Sequence, residues 1–479
     1  MSRQARPQDP QPISTAVYNK QFMHIDSTPH STPLPDTGLP WYKELNSYHW
    51  LVLMVAAMGW MFDTMDQQLF NLARRPAMLE LLHVRPGDAS MNGVVAEYAG
   101  YATSIFMIGW ATGGVLFGIL GDKLGRAKTM ILTILFYSLF TGLSVLSTNV
   151  WDFSFYRFLT GLGVGGQFSV GVALVAEVMP ARARPYALGS VQALSSVGNM
   201  MAALIGIFLG QLEQSGTVSS SWRAMFLVGA LPALLAIIVF RKLNEPEQWQ
   251  RARDNKQLGS FSELFTDPRW RKNTLVGMTL AFAGVVGLWG IGFFSFDLIS
   301  SVLDKTFRAE GLPESVIAGK KTLWTGITSL LQNAGAFFGI YAFTYLTAYT
   351  GRKIAFALAF VLAMITTAFT FWFLKDFSGI FWMIPMMGFC QLALFGGYSI
   401  YFPELFPTRL RSTGTSFCYN VGRFVAALGP LALGLLSKNV FGGYQEPMRY
   451  AGVTMCLVFL VGLAVLPFAP ETKGKPLPE

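Results

Sequence analysis

Residues 49–72 read HWLVLMVAAMGWMFDTMDQQLFNL, an apolar run long enough to cross a bilayer that carries two acids, Asp63 and Asp66, in its second half. About 20 apolar residues span the hydrocarbon core, and a carboxylate near its middle costs at least ~2.5 kcal/mol unless water or a partner compensates. On a helix, spacings of three and four residues return to one side, so Asp63, Asp66, Gln67 and Asn71 share a face. That face is expected against water or another helix rather than lipid. Two carboxylates one turn apart repel, so one of them is suited to load and release a proton near neutral pH. The plainer reading is that both solvate the outer end of the helix, with Asn71, Arg74 and Arg75 close behind.

The whole chain extends this pattern. Of its 479 residues 52% are hydrophobic and only 13% charged, and the mean hydropathy is +0.42. That composition describes an all-α polytopic membrane protein, whose expected partner is the lipid bilayer. The 48 glycines and 40 phenylalanines fit, since small residues let membrane helices approach and aromatic ones pack or anchor them. A net charge of +9 carried in short loops, with no stacking aromatics beside it, excludes a nucleic-acid partner and points to membrane orientation. Cys390, Cys418 and Cys456 sit in apolar runs without C-x-x-C spacing, and His24, His30, His49 and His83 lie outside the span interiors. No metal, cofactor or histidine relay is implied. Nor is an enzyme, because no phosphate-binding loop or nucleophile–base spacing is present. A monomer is expected.

Residues 1–46 are polar and proline-rich without an apolar core, and read as a disordered cytoplasmic tail. Twelve apolar segments follow, near 49–72, 97–121, 129–148, 151–176, 186–212, 222–241, 273–300, 322–347, 353–374, 379–402, 412–437 and 449–468. With the N-terminus inside, most of the 36 Lys and Arg fall on the cytoplasmic side, which sets both termini in the cytoplasm and the chain in the cell (inner) membrane. The longest inner loop divides the spans six and six, giving an N-terminal bundle 47–242, a linker 243–271, a C-terminal bundle 272–470 and a tail 471–479. The halves repeat. Glu177-Val-Met-Pro180-Ala-Arg182-Ala-Arg184 after span four recurs as Glu404-Leu-Phe-Pro407-Thr-Arg409-Leu-Arg411 after span ten, and Gly125-Arg126 recurs at nearly the same offset as Gly351-Arg352.

Span two ends in Gly118-Ile-Leu-Gly121-Asp122-Lys-Leu-Gly125-Arg126-Ala-Lys128. Gly121 and Gly125 permit a tight reversal, and Asp122 can pair Arg126 or meet a helix N-terminus. The string resembles the signature loop of the major facilitator superfamily, where it is taken to stabilise one side of an alternating-access cycle. The second copy has Ala348 in place of the acid, which leaves a matching latch there unsupported. Arg157-Phe-Leu-Thr-Gly161-Leu-Gly163-Val-Gly165-Gly166-Gln167 in span four also resembles the family's arginine-then-glycine motif. The alternative for the loop is a basic turn that only sets topology.

Depth selects the remaining candidates. At 1.5 Å per residue Arg157 lies roughly 9 Å below the outer boundary, and Asp63 stands roughly 20 Å up from the inner one, so the two could pair. A snorkelling Arg157 is the alternative. Arg423, about 16 Å from the inner end of span eleven, needs an acid or a bound anion, and a substrate carboxylate would answer it with paired hydrogen bonds. It could instead bond backbone carbonyls, or reach Asp63 or Asp66 across the halves. Gln192, Asn199, Gln332, Asn333, Gln391, Asn420 and Tyr398 could hydrogen-bond a solute, each of them equally readable as interhelical glue. Trp60, Trp289, Tyr398 and Tyr401 could stack on a ring or simply pack.

The repeated acid-x-x-Pro-x-Arg strings and the closing Pro470-Glu471-Thr-Lys473-Gly resemble the branch of sugar porters, organic-ion carriers and metabolite–proton symporters. Asp63-Thr-Met-Asp66 looks like the Asp-Gly-x-Asp element of aromatic acid–proton symporters, with Thr64 in place of glycine. Span five lacks the Gly-Pro motif of drug antiporters. The resemblance implies twelve transmembrane helices in two pseudo-symmetric six-helix bundles that rock about a central site. Proton-coupled uptake of a small carboxylate is expected, with Asp63, Asp66 and Arg157 coupling the proton and Arg423 meeting the anion. The gate is assigned to Asp122 and Arg126 and, from the repeated strings, to Glu177, Arg182, Glu404 and Arg409. A sugar or polyol carrier is the alternative within transport, and a transport-inactive receptor or scaffold in the same fold is the alternative outside it.

Overall fold

The structure is a computed structural model that describes residues 40–84, 91–234, 242–255, 259–426, 428 and 436–478. Most of the expected tail, the end of span six and the later part of span eleven lie outside the described residues, as do the side chains of Trp289 and Asp297. Among the described residues, twelve helices correspond to the expected membrane spans. They are α1 (Ser47–Leu81), α2 (Asn92–Leu124), α3 (Arg126–Leu143), α4 (Val150–Val178), α5 (Arg184–Gln214) and α6 (Ser221–Gly229) in the first half. The second half has α7 (Pro268–Val285, passing through a π turn at Val286–Ile291 into Gly292–Ala309), α8 (Glu314–Thr350), α9 (Arg352–Phe373), α10 (Ile380–Leu405), α11 (Arg411–Ala426) and α12 (Pro447–Met455 and Val458–Val465). Seven of the described helices are long and apolar enough to cross a membrane on those grounds alone.

Local signals set the helix ends. Asn46 accepts the His49 N–H at 2.8 Å while His49 Nδ1 accepts the Asn46 N–H at 3.2 Å, which starts α1 with a reciprocal cap. Asn149 and Asp152 do the same for α4. Gly125, at φ 113°, and Gly351, at φ 91°, turn α2 into α3 and α8 into α9, in a backbone region that disfavours a side chain. α1 is 35 residues long. It outruns its expected span, because Glu80 near its end is held by Ser220 and Trp222 at the start of α6, at 2.9 and 2.7 Å. Residues Trp41–Glu44, placed by sequence in the tail, form a 3₁₀ turn in which Trp41 stacks on Tyr186 of α5, with centroids 5.6 Å apart. The linker holds two short helices, Glu247–Asp254 and Glu263–Thr266, whose Trp249 and Leu264 are buried.

Small residues bring the helices together. A Cβ added at Gly165 of α4 would strike the Trp110 carbonyl of α2, so only glycine allows that approach. The halves meet chiefly along α2 against α11 and α5 against α8. These four helices frame the polar centre, and lipid-facing positions such as Leu139, Phe208 and Phe338 remain exposed.

Candidate functional site

The middle of α1 carries Asp63 and Asp66, both completely buried. Among the described residues neither oxygen of Asp63 has a hydrogen-bond partner. Asp66 differs. Its Oδ1 accepts the Thr141 hydroxyl at 2.9 Å, and its Oδ2 lies 3.8 Å from the Arg157 guanidinium. Depth alone had pointed to an Arg157–Asp63 pair. Arg157 instead reaches the end of α3, where Ser144 Oγ accepts from its Nε and Nη2 at 3.1 and 2.7 Å, and this sets it level with Asp66. The rings of Phe226 and Phe70 cover it at 4.4 and 5.8 Å.

Arg423, on α11, comes from the other half. Its guanidinium lies between the rings of Trp110 and Tyr419, at 4.0 and 4.4 Å, and Nη1 donates to the Tyr419 carbonyl at 2.6 Å and to Asn420 Oδ1 at 3.1 Å. Its Nε has no partner among the described residues. No carboxylate among the described residues is within ion-pair distance of it. The centre therefore holds an unpartnered acid from one half and a cation from the other that still has a free donor.

The amide candidates separate into two groups. Gln192 of α5 accepts from Trp60 Nε1 of α1 at 3.2 Å within the first half, and Asn199 of α5 donates to Asn333 of α8 at 2.9 Å, where the halves meet. Asn420 donates to the Gly165 carbonyl across the same boundary at 3.3 Å, and Gln332 is buried on α8. Three others are directed within the second half or toward its end. Gln391 donates to Thr367 at 2.7 Å, Tyr398 to the Leu280 carbonyl at 2.7 Å, and Tyr401 to the Pro470 carbonyl at 2.7 Å. Trp60 packs against Phe168 and Tyr419, with centroids at 4.9 and 6.4 Å. Sequence reasoning passed over Trp110 and Tyr419, which hold Arg423, and Tyr137, whose hydroxyl, like the Gln67 amide nitrogen, has no hydrogen-bond partner among the described residues. Gln67 was visible as a neighbour on the acidic face, but the aromatic pair had no signal because aromatics are abundant.

A second network closes one end of the molecule. Asp122 accepts the backbone N–H groups of Ser412 and Thr413 at 3.2 and 2.8 Å, which places an acid at the N-terminus of α11. Arg126 lies 3.0 Å from Asp122, makes a two-pronged contact to Glu177 at 3.1 and 2.9 Å, and donates to the Thr408 carbonyl of the other half at 2.6 Å. Arg411 also meets Glu177, at 2.9 Å. Glu245 accepts the Ala127 and Lys128 N–H groups at the head of α3, and Trp249 donates to the Asp122 carbonyl at 2.7 Å.

The second half repeats these parts within itself. Arg352 makes a two-pronged contact to Glu404 at 3.0 and 2.8 Å, and Glu471 accepts the Arg352 and Lys353 N–H groups at the head of α9. The repeat is incomplete where sequence had left the latch unsupported. Ala348 stands in the position of Asp122, and the first turn of α5 holds Pro185, which has no N–H to offer. Arg182 and Arg409 stay outside the network, pairing with Glu44 at 2.9 Å and Glu263 at 3.5 Å, because they sit on the outer side of their turns.

The comparisons with known proteins agree with this architecture. A protein of Haemophilus influenzae assigned to metabolite transport is 31% identical over 91% of this chain and 99% of its own length. The sialic acid transporter NanX of Escherichia coli is 27% identical, covering 89% of this chain and 96% of that protein. Among solved structures, a proton:xylose symporter bound to 6-bromo-6-deoxy-D-glucose superposes with a TM-score of 0.69 at 17% identity, over 90% of this chain and 98% of that one, which shows a shared fold. The family model described as Major Facilitator Superfamily matches residues 50–319. With the twelve helices, the repeated halves and the buried polar centre, these matches establish an integral membrane transporter of small solutes, not an enzyme, and the chain belongs to the Major Facilitator Superfamily.

Proposed function

We propose that the chain takes up a small organic carboxylate together with a proton, by rocking of bundles 47–242 and 272–470 about the centre. Asp63 carries the proton and Arg423 binds the carboxylate, with Trp110 and Tyr419 orienting the guanidinium. Arg157 neutralises Asp66, and Asp122, Arg126, Glu177 and Arg411 hold the gate. The observation that carries this reading is the wholly buried Asp63 carboxylate with no partner on either oxygen. A charge left unanswered in a low-dielectric interior is costly, and taking up a proton removes it. A carboxylate on the free Nε of Arg423 would add a second charge to the same chamber, so solute and proton are favoured together. The transporter works as a monomer in the cell membrane, with both termini cytoplasmic.

Reconstituted vesicles test this. An inward proton gradient should drive accumulation of a bound carboxylate, and Asp63→Asn should abolish the accumulation while leaving exchange of labelled for unlabelled solute. Accumulation unchanged by that substitution would remove Asp63 from the mechanism. The Asn199–Asn333 contact at the meeting of the halves favours a second reading, a sugar or polyol carrier whose hydroxyls such amides bind. Stabilisation by neutral polyols but not by carboxylates would select it.

A further inference from the structure

One face of α7 stays open at the end of the molecule that carries the Asp122 network. From Pro268 to Thr279 its residues recur at spacings of three and four, and with Val465 of α12 and Phe468 just after it they line a groove of about 430 Å³. The stripe runs about 16 Å along the helix axis, close to the ~15 Å of hydrocarbon in one leaflet. Its chemistry changes along that length. Arg271 and Lys272 stand exposed near the head of α7, and Leu275, Val465 and Phe468 supply the apolar lining.

Among the described residues neither Arg271 nor Lys272 has an ion pair or a side-chain hydrogen bond. The nearest acid in sequence, Asp267, is committed to the head of α7, where it accepts the Arg269 and Trp270 N–H groups at 2.8 and 3.4 Å. A third cation reaches the same end, since the Lys353 ammonium donates to the Pro467 carbonyl at 3.1 Å, beside Phe468. The groove thus joins two cations without partners among the described residues to an apolar lining on the same face.

We propose that it binds an anionic diacyl phospholipid, with the phosphate between Arg271 and Lys272 and one acyl chain laid along Leu275 and Thr279 toward Val465. A zwitterionic lipid could fill the apolar track but would leave the two cations unanswered. A soluble phosphate could meet the cations but would leave the track empty. Basic residues between membrane helices beside a hydrophobic groove match the charge and the shape of an anionic lipid together. This inference requires only that the chain spans a membrane, so its failure and the failure of proton-coupled carboxylate transport are separate events.

The test is lipid retention by the full-length protein in detergent, read by native mass spectrometry with dioleoyl phosphatidylglycerol and dioleoyl phosphatidylcholine offered at equal concentration. Phosphatidylglycerol should be retained about thirtyfold over phosphatidylcholine, the preference expected from two basic contacts. The double variant Arg271→Gln/Lys272→Gln should lose the preference; both side chains are exposed and unpaired, so the fold does not depend on them. Thr279→Trp, which fills the groove and keeps both cations, should lower phosphatidylglycerol retention as well. Equal retention of the two lipids, or a preference that survives the double variant, would overturn the proposal. So would thermal stabilisation by glycerol phosphate as large as that by phosphatidylglycerol, since that would make the site one for a soluble anion.

Discussion

Arg411, the first residue of α11, and Glu177, near the end of α4, meet at 2.9 Å across the two halves with both side chains fully buried. The same carboxylate takes Arg126 at 2.9 Å, so one acid neutralises two guanidiniums. Removing one partner of a buried ion pair costs about 3–5 kcal/mol, because the other charge is left unanswered. Here that cost falls on the closed arrangement, since separating the halves carries Arg411 away. Glu177→Gln is therefore expected to open this end. Ser416→Cys, facing Gly114 of α2, reports on it, and its alkylation should accelerate tenfold or more in the Glu177→Gln background. An unchanged labelling rate would remove Glu177 from closure.

The parts of this network that are local in sequence could be read from it, and the long-range ones could not. Gly121-Asp122-Lys-Leu-Gly125-Arg126 announces its turn and its acid within a few residues. Arg411 is different, because Glu404-Leu-Phe-Pro407-Thr-Arg409-Leu-Arg411 offers two arginines and only the 3₁₀ turn Thr408–Leu410 decides which one faces inward. Sequence chose Arg409, which lies on the outer side. Counting residues set Arg157 level with Asp63, about one turn from the Asp66 it meets, because the Ser144 acceptor that draws it there belongs to the end of another helix and leaves no local mark in the sequence.

The Arg157–Asp66 contact makes its own prediction. Asp66 retains its Thr141 bond if Arg157 is lost, but its second oxygen is then stranded in the protein interior. Arg157→Gln should lower stability by about 3 kcal/mol or more, and Arg157→Gln/Asp66→Asn should recover most of that loss because no charge remains unpaired. Thermal unfolding of the four proteins in one detergent gives the cycle. Additive losses in the double variant would show that the two side chains act independently.

Glu471 gives a pH dependence at the membrane surface. Burial pushes its carboxyl up, but the N–H groups of Arg352, Lys473 and Lys353 outweigh that and hold it below the usual glutamate value. A carboxyl lowered on folding contributes stability that is fully present above its unfolded value, near ~4.3, and is lost as pH falls through the lowered folded value. The contact between the C-terminal segment and the head of α9 should therefore be constant from neutral pH down to about 4 and weaken only below that. Hydrogen exchange at the Arg352 and Lys353 amides reads it directly. Glu471→Gln should raise exchange at those amides and remove the acid-side dependence, whereas a wild-type transition near pH 6 would assign the effect to another group.

Asp63 sets a test in which stability and activity should move in opposite directions. Nothing among the described residues bonds its oxygens, so Asp63→Asn discards no hydrogen bond and removes a charge that the interior does not answer. The variant should unfold at a higher temperature than the parent, by an amount equivalent to about 1 kcal/mol or more. The gain should grow as pH rises, because only the ionised carboxylate carries the cost. Functional groups held at the expense of stability give this signature, and ordinary packing residues do not. Asp66→Asn supplies the contrast, since it gives up an Arg157 contact and a Thr141 bond and should be destabilising at neutral pH. If Asp63→Asn were the less stable protein at every pH, the carboxylate would have partners in solution, and its place as the proton carrier would fall with them.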